Sequence, residues 1–177
     1  MKKLNAKQLR ESEPTEEDVG KIKRNPIYLV LDQIIDTYNI GSLFRLADAI
    51  AVEKVYLCGD METPPNSRIH KAAVGTENWV PWKKTDSTLE TIKMLNEKGV
   101  HTIAIEQDKK STDYKLLTTD KIKFPMAIIA GNEIRGLSKE VVNEADTIVE
   151  LPMCGINNSF NVWGTTAVVA YKVLESL

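Results

Sequence analysis

Met126-Ala127-Ile128-Ile129-Ala130, followed by Gly131-Asn132-Glu133-Ile134-Arg135-Gly136-Leu137-Ser138, is the stretch on which the fold turns. Five apolar residues in a row predict a buried strand, and the glycine-bounded loop leads to Ser138, which can cap a helix running through Ala145. Glu140 stands one place too early to complete a capping box. The same punctuation recurs along the chain: Ile27 to Leu31, Lys54 to Cys58, Val100 to Ile105 and Thr147 to Leu151 also read as buried strands. Helical spacing fills the intervals. Leu43, Leu46, Ala47 and Ile50 share one face, as do Leu89, Ile92 and Leu95, and a last helix over about Ser159 to Leu174 is apolar on most sides and expected to be buried. Strands alternating with helices predict an α/β fold, a mainly parallel sheet with helices on both faces. Such sheets hold ligands at the carboxyl ends of their strands.

The chain has 177 residues, of which 42% are hydrophobic, enough for one compact core. Residues 1–25 are nearly all charged or polar and read as an N-terminal extension, with a helix start at Thr15 followed by Glu16, Glu17 and Asp18. Residues 26–177 read as the folded domain, with a loop from Gly59 to Asn66. No apolar stretch has the length of a membrane span, and a charged N-terminus stands where a secretory signal carries its apolar core, so a soluble, cytoplasmic protein is expected. Cys58 and Cys154 lack any metal-ligand spacing and are expected as core thiols; His70 and His101 form no metal pair, and His101 is placed at the entry to a strand. The formal net charge is -2 and the pI about 5.8, which excludes a protein held to nucleic acid by its bulk charge. Any RNA binding has to use local basic patches.

Three segments carry candidate chemistry. The loop from Gly131 to Ser138 offers an amide, a carboxylate and a cation between two glycines; it is equally the composition of an ordinary turn between strand and helix. It has neither GxGxxG nor a P-loop lysine pattern, so it favours neither a dinucleotide nor a nucleoside triphosphate. The second, Leu151-Pro152-Met153 through Ser159-Phe160-Asn161-Val162, mixes apolar and amide groups: Met153 and Phe160 could pack on a purine or a thioether, and Ser159 could cap the last helix. In the third, Asn39-Ile40-Gly41-Ser42-Leu43-Phe44-Arg45, a helix starting at Asn39 or Ile40 puts Arg45 in its second turn, away from the apolar face.

Taken together, Asn39-x-Gly41-x-x-x-Arg45, then Gly131-Asn132-Glu133-x-x-Gly136-Leu137-Ser138, then Leu151-Pro152-Met153 with Ser159-Phe160-Asn161-Val162 resemble, in order and spacing, the three motifs of the SpoU (TrmH-type) RNA ribose 2′-O-methyltransferases of the SPOUT class. The resemblance covers roughly residues 26–177. It implies a C-terminal deep trefoil knot, a homodimer and S-adenosyl-L-methionine as cofactor, with Ile105, Gly131, Leu151, Met153, Ser159 and Phe160 around it. It implies Arg45, Asn39, Glu133, Ser159 and Asn161 as the catalytic set, and Arg45 with Arg68 and Lys71 as RNA contacts near His70 and Gly75. No metal is implied.

Two departures stand out. Ile134 occupies a position often held by Gly in the family, and Phe160 and Trp163 interrupt its usual Ser-Leu-Asn-Val-Ser run. They motivate the alternative of an RNA-binding protein of the same fold without catalysis. Arg45 could activate the ribose hydroxyl or hold the neighbouring phosphate, and the second role is physically easier because a guanidinium is a poor base at neutral pH. Among substrates, tRNA is favoured over rRNA, because the large N-terminal RNA-binding domain of many ribosomal-RNA members does not stand before residue 26.

Overall fold

The computed structural model describes residues 8–9, 13–119 and 122–177. In the charged extension, Lys2, Lys3, Lys7, Arg10 and Glu11 lie outside the described residues. The elements in chain order are α1 (Glu16–Gly20), β1 (Asn25–Asp32), α2 (Thr37–Ala49), β2 (Val52–Cys58), α3 (Ser67–Ala73), β3 (Trp82–Thr85), α4 (Thr88–Glu97), β4 (His101–Ile105), β5 (Thr112–Asp113), β6 (Met126–Ala130), α5 (Lys139–Glu144), β7 (Thr147–Glu150) and α6 (Val162–Leu174). The seven strands form one sheet in the order β3-β2-β1-β6-β4-β7-β5, and every pairing is parallel.

Alternation along the strands builds two cores. Ile27, Leu29 and Leu31 of β1 face α2, α3 and α6, packing with Ile40, Leu43, Phe44, Ile69, Val169 and Val173. Val30, Tyr56 and Cys58 point the other way, to Ile92 and Leu95 of α4 and Val141 and Val142 of α5. The central strand β6 is buried along its whole length, as its uninterrupted apolar run requires. The trefoil knot expected of the C-terminal part is implied by this architecture, in which the chain after β7 returns as α6 to pack on α2 and β6.

The structure corrects several details. α2 begins at Thr37, not at Asn39 or Ile40, because Asp36 caps it by accepting from the Tyr38 N–H at 2.8 Å; Arg45 therefore lies in the third turn. The last helix begins at Val162, capped by the Asn161 side chain on the Trp163 N–H at 3.0 Å, so Ser159 is no helix cap. That helix is also less buried than its composition suggests, with Trp163 and Tyr171 exposed. Cys58 is buried as expected, and burial pushes its thiol up, but Cys154 is exposed in the loop after β7 and is not a core thiol. The charged extension does not end cleanly before the domain: Arg24 donates to the Val52 and Trp79 carbonyls at 3.1 and 2.9 Å, and β1 begins at Asn25. No described helix is long and apolar enough to cross a membrane.

Candidate active site

A cleft of about 690 Å³ opens at the carboxyl ends of β4, β6 and β7, beside the start of α2. It lies where the sheet order predicts a ligand, at the edge from which the strands emit their loops. Glu133 holds the three sequence segments together there. Its carboxylate accepts from the Ile35 N–H (2.8 Å), the Asp36 N–H (3.0 Å) and Asn39 Nδ2 (2.9 Å). Asn39, 4% exposed, passes the connection on, its Oδ1 accepting from Asn161 Nδ2 at 3.1 Å. One hydrogen-bond chain thus joins the loop after β6, the first turn of α2 and the cap of α6. Partial burial pushes the Glu133 carboxyl up, but the hydrogen bonds from Ile35, Asn39 and Asp36 outweigh it and hold the carboxyl below its usual value. Glu133 is an ionised brace at the positive end of α2 rather than a proton acceptor.

The loop from Gly131 to Ser138 is folded tightly on itself. Asn132 Oδ1 accepts from the Ile134 and Arg135 N–H groups at 3.0 Å each, while its Nδ2 donates to the Gln33 carbonyl at 2.7 Å. A Cβ at Gly131 would come within 2.8 Å of the Gly136 backbone, and Gly136 has φ +64° with Glu106 pressed against it. Both glycines are therefore required by close approach or backbone angle. Glu106 accepts from the Leu137 N–H at 2.7 Å, and Gln107 Nε2 donates to the Asn158 carbonyl at 2.6 Å, so the loop after β4 supports both other loops.

Of the residues singled out in the sequence, Asn39, Ile105, Gly131, Glu133, Leu151, Met153, Ser159, Phe160 and Asn161 all line the cleft. Ser159 donates through its N–H and Oγ to Asn157 Oδ1, at 3.1 and 3.2 Å. Arg45, Arg68 and Lys71 do not line it. They are exposed on α2 and α3 and make no hydrogen bond or ion pair among the described residues. Arg45 stands six residues beyond Asn39, about 9 Å further along the helix axis. Sequence reasoning missed Asp36, Glu106, Gln107 and Glu150, which also line the cleft: Asp36 precedes a helix and Glu106 and Gln107 follow a predicted strand, but their partners are remote in sequence, and Glu150 falls within a predicted strand.

The two departures have physical accounts. Ile134 is 82% exposed and has no positive φ, so no glycine is needed there. Gly164 makes room for Phe160, whose ring atoms would lie 2.6 Å from a Cβ at that position. Neither interrupts the Glu133–Asn39–Asn161 chain, which removes the reason for the alternative of a site without catalysis.

Four carboxylates line the cleft, Asp36, Glu106, Glu133 and Glu150, against one guanidinium, Arg135. The field suits a small cationic ligand, and Ile105, Leu151, Met153 and Phe160 add apolar wall. Among the described residues no group of His, Cys, Asp or Glu could hold a metal ion.

A model of the SpoU rRNA Methylase family matches residues 26–171. The 23S rRNA (guanosine-2′-O-)-methyltransferase RlmB of Vibrio parahaemolyticus is 27% identical over 170 residues, covering 96% of this chain and 66% of that protein. Among solved structures, an AdoMet-bound rRNA methyltransferase from Sinorhizobium meliloti superposes with a TM-score of 0.79 at 25% identity, covering 96% of this chain and 60% of the other. The A. aeolicus TrmH/SpoU tRNA modifying enzyme shares the fold with a TM-score of 0.78 at 24% identity, covering 97% and 81%. The chain thus spans just under two thirds of the length of the RlmB relative.

Proposed function

The chain belongs to the SpoU rRNA methylase family, and from that premise we propose that it transfers a methyl group from S-adenosyl-L-methionine to a ribose 2′-hydroxyl of structured RNA. The observation that carries this reading is the hydrogen-bond chain from Glu133 through Asn39 to Asn161, which fixes all three motif segments around one cleft. The residues present fit the cofactor: the acidic lining favours its sulfonium and ammonium charges, and Ile105, Leu151, Met153 and Phe160 offer surface for the adenine and thioether. When bound, S-adenosyl-L-methionine supplies a methyl group activated for in-line displacement.

The chain's own residues then have separable tasks. Gly131 lets backbone come close to the ligand, and Asn39, Glu133, Ser159 and Asn161 keep the loops in register, which contributes by positioning. Arg45 serves as a clamp on the phosphate beside the target ribose, where it also stabilises charge developing on the 2′-oxygen. The proton of that hydroxyl leaves to phosphate or water. Arg68 and Lys71 extend the same contact along α3.

For the substrate, tRNA is placed first and rRNA second. The protein is further read as cytoplasmic and as a homodimer, whose contact would cover the exposed side chains of Tyr38 on α2 and of Trp163 and Tyr171 on α6. The chain from β1 onward forms the methyltransferase domain, and the residues before it are an appendage that Arg24 fastens to the Val52 and Trp79 carbonyls.

The experiment is incubation with methyl-labelled S-adenosyl-L-methionine and, separately, total tRNA and total rRNA, followed by nuclease mapping. Label is expected on a ribose 2′-oxygen of one RNA. Label on a base, or binding of RNA with no transfer to either pool, would overturn the reading.

A further inference from the structure

Glu77 is a buried acid outside the cleft. Its side chain is 5% exposed, and its Oε2 is buried with no hydrogen-bond partner among the described residues. Its Oε1 lies 2.6 Å from His70 Nδ1. A carboxylate withdrawn from water requires a hydrogen-bonded or charged partner, and here the imidazole alone supplies one. The His70 ring is 59% exposed at the last turn of α3. A 2.6 Å contact to a carboxylate oxygen puts the proton on Nδ1, so Nε2 faces outward, with no partner among the described residues.

The turn that brings Glu77 beneath His70 is strained. Val74 has φ +57° and Gly75 φ +86°, and a β-branched residue in the left-handed region is a backbone outlier of the kind that gathers at functional sites. This turn lies against the stripe of α2 that carries Arg45. A Cβ at Gly41 would meet the Ala72 side chain and the Ile69 carbonyl of α3, and Asp48, seven residues on, accepts from Trp79 Nε1 at 2.7 Å. Arg45 falls between these two contacts, at helical spacing from both.

We propose that His70, oriented by Glu77, is an RNA-phosphate contact beside Arg45, with Glu77 as its positioning residue. The inference rests on the RNA-methylation reading above. The imidazolium Nε2–H donates to a phosphate oxygen, a charge-assisted bond, while the buried carboxylate fixes the ring. Glu77 lies beneath this ring, Arg68 and Lys71 share its helix, and α2, which packs against that helix, carries Arg45 and Asp48. Glu13 belongs to the same surroundings, accepting from Asn78 Nδ2 at 2.6 Å.

The test is fluorescence anisotropy with bulk tRNA and with total rRNA, over a salt series, on the wild-type chain, His70→Ala, Glu77→Gln and the double variant. Binding of S-adenosyl-L-methionine is measured on the same samples. His70→Ala is expected to weaken RNA binding about tenfold and to lower the salt slope by about one, with cofactor binding unchanged. Glu77→Gln, nearly isosteric, is expected to weaken RNA binding in the wild-type background but to add nothing in the His70→Ala background, a non-additivity that a purely structural role would not give. His70→Ala alone decides the matter if the Glu77 variant does not fold. Wild-type affinity and salt slope in His70→Ala would overturn the inference and leave the methylation reading standing, whereas a wild-type chain that binds the cofactor and neither RNA would overturn both.

Discussion

In the cleft, Glu133 takes three hydrogen bonds and Asn39 and Asn161 pass them on, whereas on the outer surface of α2 and α3 the cations Arg45, Arg68 and Lys71 reach solvent with no partner among the described residues. One region is satisfied from within, and its excess of carboxylates suits a small cation. The other is left open, and its excess of positive charge suits a polyanion. The difference shows how a chain of net charge -2 can serve RNA: acidic and basic groups are sorted onto neighbouring surfaces joined by a single helix. It also separates two kinds of failure, loss of RNA contact and loss of cofactor order, that variants should reproduce one at a time.

The largest effect is expected where only the open surface is damaged. Arg45→Ala should lower methyl transfer about 10²–10³-fold under single-turnover conditions, the loss typical of one positioned charge-stabilising donor. Transfer at near wild-type rate would break the distinction by showing that the basic surface does not take part in the chemistry.

A smaller effect is expected inside the cleft. Glu133→Gln keeps the shape but removes the charge that three donors converge on, and cofactor affinity should fall about tenfold, or 1.4 kcal/mol, with RNA affinity little changed. The pH dependence of stability should change with it. A carboxyl held below its usual value stabilises the fold at pH values above the unfolded-state value of 4.5, and that contribution is lost as pH falls through the depressed value. Melting temperature plotted against pH should therefore lose part of its acid limb in Glu133→Gln, and identical limbs would show that the brace carries no folding energy.

The smallest functional effect belongs to the joint between the two surfaces. A methyl at Gly41 would sit 2.6 Å from the Ile69 carbonyl oxygen, so Gly41→Ala has to push α3 away from α2. Overpacking of this kind costs about 1–3 kcal/mol, read by denaturant unfolding, with transfer lowered only as far as Arg45 and α3 are displaced. An unchanged unfolding midpoint would show that the two helices have slack at this contact.

Most of the sheet was legible because β1, β2, β4, β6 and β7 are apolar runs. β3, reading Trp82-Lys83-Lys84-Thr85, and β5, only Thr112–Asp113, were not, since they are the short, polar edges of the sheet, where no apolar face has to be covered. The start of α2 was misplaced because its first turn is held by Asp36 and the exposed Tyr38, outside the apolar stripe. Within the site, the three motif segments could be read as local strings. Glu106 and Gln107 could not, because their partners at Leu137 and Asn158 lie 31 and 51 residues further along the chain. The burial of Glu77 was equally hidden, since Gly-Thr-Glu-Asn reads as an exposed turn until the left-handed backbone at Val74 folds it beneath His70.

Titration calorimetry of S-adenosyl-L-methionine into the wild-type chain and into Arg45→Ala tests whether the satisfied cleft holds the cofactor while the open surface holds RNA. One cofactor per chain and the same dissociation constant are expected for both. No heat with the wild-type chain, or binding lost on removal of Arg45 alone, would contradict that division.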